Sequence, residues 1–166
     1  MTIEEVIKVL EMQEEILQFT HFTNDDAWEL GSLIVTESKK RGLSVAVSIR
    51  LNNGLIPFQY FATGRCLNND NWVQKKHNTV KMTEQSSLLV YSNLQKNGEV
   101  LEDMGLDPKE YAACGGGFPL RIEEVGVIGT ITVSGLDHVS DHDLLIKCIS
   151  KYLHVDEVAR IKAGML

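Results

Sequence analysis

The segment Cys114-Gly115-Gly116-Gly117-Phe118-Pro119-Leu120, with further glycines at 126, 129 and 135, constrains this chain more than any other feature. A glycine inside a helix costs about 1 kcal/mol relative to alanine, so this density excludes an ordinary buried helix. Three consecutive glycines permit positive φ or a very close approach to another group, and Pro119 then fixes the direction of exit. The run Val127–Val133 follows and reads as a strand buried on both faces or nearly so. The unit predicts a glycine turn that opens a central hairpin, and such turns can line a pocket.

Periodicity places the other elements around it. Ile3, Val6, Ile7, Leu10 and Leu17 fall near one helical face, so the chain opens with an amphipathic helix. Thr23 and Asp26 form a capping-box pattern for a second helix, whose stripe runs through Ala27, Leu30, Ile34 and Ser38 until Gly42. Ser44–Leu51 and Leu55–Ala62 read as antiparallel strands joined at Asn52-Asn53-Gly54. Asn68–Lys96 is helical with a break near Thr83, where Thr83, Ser86 and Ser87 offer a new N-cap. Asp107-Pro108 begins a short helical turn. Strands are expected at Tyr111–Cys114, Phe118–Ile122 and Val127–Val133, and a last helix capped by Ser140 with Asp143. Hairpins set between helices predict an α/β (α+β) fold with an antiparallel sheet, not a parallel doubly wound one.

A chain of 166 residues is expected to form one domain over 1–166, with a helical extension at about residues 1–22. Its formal charge of −7 opposes nucleic-acid and acidic-membrane partners, because nonspecific polyanion binding needs clustered Lys and Arg. Lys75-Lys76-His77 is the local exception and reads first as a solvated helix face. Cys66, Cys114 and Cys148 form no CxxC pair, which points to a reducing, cytoplasmic setting rather than a disulfide framework. No apolar run is long enough to cross a bilayer, and the first helix is too interrupted by charge to be a signal peptide.

Motifs of chemistry are sparse. His138, Asp141, His142 and Asp143 suggest metal ligation, but with Ser140 as N-cap His138 lies outside the helix, and the aspartates complement its positive end. The glycine run lacks the spacing of a phosphate loop and leads into a strand. Ser134 has no GxSxG context. Cys114 could be a nucleophile, although a free cysteine at a strand end is usually a small buried hydrophobe.

Taken together, Gly-Gly-x-Pro, then Val-Gly-x-Ile-Gly with Val-Ser-Gly, and an Asp opening the last helix, resemble the haem-binding or haem-degrading GlcG-like domain family. Trp72, Lys75, Lys76, Thr79 and Val80 are similar to the helix of its short stand-alone branch. The resemblance implies a profilin-like, three-layer α/β/α fold with a five-stranded antiparallel sheet, a homo-oligomer in the cytoplasm, and a small-molecule ligand, with haem as one cofactor to consider. The family's Lys-x-x-Thr segment matches Lys76 to Thr79 and its glycine-proline loop matches Gly116 to Pro119, while His77 stands where the family has a small residue. Any ligand site is expected between Gly115, Gly116, Gly117 and Pro119 and the helical residues Lys76, His77 and Thr79, the alternative being that the glycines only let the helix pack on the sheet. No residue is named as catalytic. The alternative is a non-enzymatic interaction module that acts through its oligomeric surface, with the first helix at the interface.

Overall fold

A computed structural model describes residues 1–166 and contains five helices and four strands. Helix α1 spans Ile3–Ile16 and α2 spans Asn24–Lys40; strands β1 (Ala46–Leu51) and β2 (Phe58–Phe61) follow. Then come α3 (Leu67–Thr83), α4 (Ser87–Asn97) and a 3-10 turn at Leu101–Met104. Strands β3 (Gly117–Ile122) and β4 (Gly126–Ser134) precede α5 (His138–Leu153). No helix is long and apolar enough to cross a membrane.

Local chemistry explains most boundaries. The Thr23 hydroxyl accepts from Asp26 N–H at 3.1 Å while the Asp26 carboxylate accepts from Thr23 N–H at 2.7 Å, a reciprocal cap for α2. Helix α3 stops at Glu84, whose left-handed φ of 57° turns the chain, and the Ser86 hydroxyl accepts from Leu89 N–H to start α4. The last helix begins earlier than its sequence suggests. Asp137, not Ser140, is its N-cap, accepting from Ser140 N–H at 3.0 Å, so His138 and His142 both lie inside α5.

All strand pairings are antiparallel, in the order β2-β1-β4-β3. The sheet therefore has four strands, not five. Tyr111–Cys114 is not a strand, because the Thr79 hydroxyl both accepts from Ala112 N–H and donates to Ala112 C=O, taking the groups a ladder would use. The glycine run consequently precedes the β3–β4 hairpin, with no strand on its N-terminal side, and the hairpin turn itself lies at Glu123–Val125. β4 is central and β3 is an edge. That edge is blunted: Pro119 has no N–H, Gly117 N–H donates to Ser87 Oγ, and Arg121 C=O accepts from Phe19 N–H.

One sheet face is apolar. Val47 and Ile49 of β1, Phe118 and Leu120 of β3, and Ile131 and Val133 of β4 pack against Leu30 and Ile34 of α2 and Leu145 and Ile149 of α5. The opposite face, alternate along the same strands, meets α3. Helix α1 folds back on its own chain: Val6, Ile7 and Leu10 cluster with Leu88 and Leu89 of α4 and with Ile161. Its apolar stripe is covered from within, so it is not left over for a partner.

Candidate functional site

The α3-facing side of the sheet is polar although it is buried. Strand alternation points Ser48 and Arg50 of β1 and Thr130 and Thr132 of β4 under α3, and none of the four is more than 5% exposed. A buried polar face is stable only when its groups are hydrogen-bonded. Arg50 donates to Ser48 Oγ, Gln59 Oε1 and Gln74 Oε1, and pairs with Asp70 at 2.5 Å. His77 Nδ1 lies 2.8 Å from Thr130 Oγ1. Burial, with Arg50 and Lys81 nearby, pushes the His77 imidazole down to about 4, so it is neutral at pH 7. Thr132 Oγ1 alone on this face has no partner.

Lys76 is the next residue along and is also buried. Its Nζ donates to Val133 C=O at 2.9 Å and to Asp141 Oδ2 at 3.1 Å, joining α3 to β4 and α5. Burial pushes the Asp141 carboxyl up to about 6, opposed by Lys76 and by the N–H of Leu136 and of Gly135. The solvated-face reading thus fails for Lys76 and His77. The sheet presents polar partners at this depth, which lets α3 bury a polar side.

The glycine run threads between these groups. Gly116 has φ of 120°, and a Cβ there would overlap Val133 O and Lys76 Nζ. A Cβ on Gly115 would overlap His138 C=O, while Gly115 N–H donates to His138 Nδ1 at 3.0 Å. Gly116 and Gly117 therefore lie beside Lys76 and Gly115 beside His138 and His142, while Thr79 reaches the preceding segment through Ala112. His77 points to Thr130, and Pro119 sits in β3 opposite Thr130. Asp141 reads from sequence as a candidate metal ligand or a helix-dipole partner; its real partner is Lys76, 65 residues away.

On the far side of the Tyr111–Cys114 segment lies an apolar cleft of about 430 Å³ between α3, α4 and the 3-10 turn. Nine of its 13 lining residues are hydrophobic, among them Trp72, Tyr91, Leu101, Tyr111 and Cys114. Burial pushes the Cys114 thiol up, which opposes nucleophilic use. A larger hollow of about 670 Å³ is instead lined by Glu11, Glu14, Glu15, Glu84 and Glu124 with Arg121. Burial pushes Glu14 up to about 7 there. His138 and His142 do share a helix, but no three His, Cys, Asp or Glu side chains converge to hold a metal. Gly115 N–H occupies the lone pair of His138 Nδ1, and His142 Nε2 faces Gln13 Oε1 at 2.8 Å.

The antiparallel sheet with α2 and α5 on one face and α3 on the other is a fold shared with the crystal structure of HbpS. Residues 22–150 match the family described as haem degrading protein HbpS-like, and the chain belongs to that family. Within it, the chain is 34% identical over 154 residues to a UPF0303 protein of Yersinia enterocolitica, spanning 92% of this chain and 91% of that protein. The crystal structure of Ybr137w protein superposes with a TM-score of 0.82 at 29% identity, covering 89% of this chain and 87% of that one. The structure of a PduOC:haem complex superposes with a TM-score of 0.65 at 19% identity, covering 85% and 99%, a likeness of fold.

Proposed function

We propose that this chain is a small-ligand-binding protein whose ligand occupies the apolar cleft beside Cys114. The cleft itself carries the reading: ligand sites are concave and mostly apolar with a few polar groups, and this hollow has that character while the larger one does not. Lys76, His77, Thr79, Gly115, Gly116, Gly117 and Pro119 then act as the framework behind the cleft. Thr79 holds its wall at Ala112, and the glycines let that wall continue between α3 and α5.

Family membership and the haem held by PduOC make haem the first ligand to test. No histidine, lysine or arginine lines the cleft and Cys114 is held as a thiol, so Tyr91 and Tyr111 are the side chains there that could ligate haem iron, with no cation on the lining to meet the propionates. Titration of haem into the protein, followed in the Soret band, reads this directly. A saturable shift at one haem per chain would restore haem as the ligand, and its absence would leave the cleft to another molecule.

A second reading, the oligomeric interaction module, has one observation in its favour. Trp28 is 66% exposed, meets Phe58 edge-to-face at 6.0 Å, and stands beside the open edge of β2, where Leu55 and Ile56 are also exposed. We propose a homo-oligomer through that edge instead of α1. Sedimentation velocity should show self-association that Trp28→Glu weakens; a monomer at micromolar concentration would remove the proposal.

A further inference from the structure

We infer that the cleft takes a flat organic cation, such as an N-alkylated heteroaromatic ring, in preference to a neutral or anionic molecule of the same shape. This rests on the small-ligand reading above and goes beyond it by fixing the charge class. Among the residues lining the cleft, the only charged side chains are Glu99 and Glu102, both exposed. An anion entering here meets two carboxylates on the lining, with Lys75 over the Trp72 ring as the nearby counter-charge, whereas a cation meets both carboxylates.

The walls point the same way. Trp72, Tyr91 and Tyr111 contribute aromatic surface, and a π face carries negative potential that attracts a cation within about 6 Å. Trp72 already draws one from its own chain: Lys75 Nζ lies 4.9 Å from the ring centroid. His138 packs against Tyr91 at 4.7 Å, but burial holds its imidazole below the usual value, so it adds no positive charge at pH 7. The apolar lining, with Leu94 and Leu101, gives no replacement for the water shell of a small metal ion. It does suit a cation that carries its own apolar surface. The same charges would oppose the two carboxylates of a porphyrin such as haem.

Three probes that share the quinoline ring system and differ in charge test the preference: N-methylquinolinium, uncharged quinoline and quinoline carboxylate. The chain has two tryptophans, so Trp28→Phe leaves Trp72 as the only indole reporter, and quenching of its fluorescence reads occupancy. The cation should bind about five-fold or more tighter than quinoline, with the carboxylate weakest. Glu99→Gln combined with Glu102→Gln, both at exposed positions, should bring the cation to within about two-fold of quinoline. Lys75→Met should strengthen the cation further. Quinoline or the carboxylate binding as tightly as the cation overturns the inference and leaves the small-ligand reading intact. Full preference in the double glutamine variant also overturns it. If none of the three probes saturates, the small-ligand reading falls and the inference with it.

Discussion

Lys76 and Asp141 form the most consequential residue pair in the molecule, each no more than 3% exposed and each held by a backbone group as well as by the other. Two charges removed from water lose several kcal/mol of hydration, and only their mutual attraction and the added hydrogen bonds offset that loss. Truncating one partner is therefore far worse than removing both. Lys76→Met should destabilise the protein by about 3–5 kcal/mol, because Asp141 is left buried without its cation. Lys76→Met with Asp141→Leu should recover most of that, as read by chemical denaturation. If the single and double variants are equally unstable, packing against Gly116 matters more than charge. Sequence showed Lys76 and the glycines as neighbours only through a family resemblance. The pairing of Asp141 with Lys76 escaped notice because a helix N-terminus already gave its carboxylate a sufficient local reason.

At the level of elements, the sequence was legible wherever a boundary depends on nearby residues. The Thr23–Asp26 cap, the break after Thr83 and the turn at Asn52–Gly54 are all present. β2 nevertheless starts only at Phe58, after Pro57. The fifth strand failed because one side chain from a distant helix, Thr79, satisfies the backbone at Ala112, and no local pattern announces that. The same bond makes a prediction. Thr79→Val keeps the shape but leaves a buried N–H and C=O at Ala112 without partners, a loss of about 2–4 kcal/mol. Thr79→Ser should retain most of the stability. Amide exchange at Ala112 should accelerate in the valine variant and stay slow in the serine one; equal protection in both would show that the wall of the cleft is held by packing alone.

For the whole molecule, three buried groups and the half-buried Glu14 set a pH profile in which opposing signs meet. His77 and His142 are pushed down to about 4 by burial, below the usual 6.5, so the stability they confer is present above pH 6.5 and lost as pH falls toward 4. Glu14 and Asp141 are pushed up by burial to about 7 and about 6; their contribution is present below the ordinary carboxylate range and lost as pH rises through those values. Near pH 5 the unfolded chain holds two extra protons on the histidines and the folded chain two on the carboxylates, so stability should vary little with pH there. His138, also held low by burial, adds a weak slope of the histidine sign. Below about pH 4.5 the unfolded carboxylates protonate too, and stability should then fall. Removing one member exposes the balance. Glu14→Gln should make stability fall on acidification between pH 6 and 5 by up to about 1.4 kcal/mol per pH unit more than in the wild type. His142→Gln should tilt the profile the other way by a similar slope. Urea denaturation at a series of pH values measures both, and parallel profiles for wild type and Glu14→Gln would show that Glu14 titrates normally and that the acidic hollow is well hydrated.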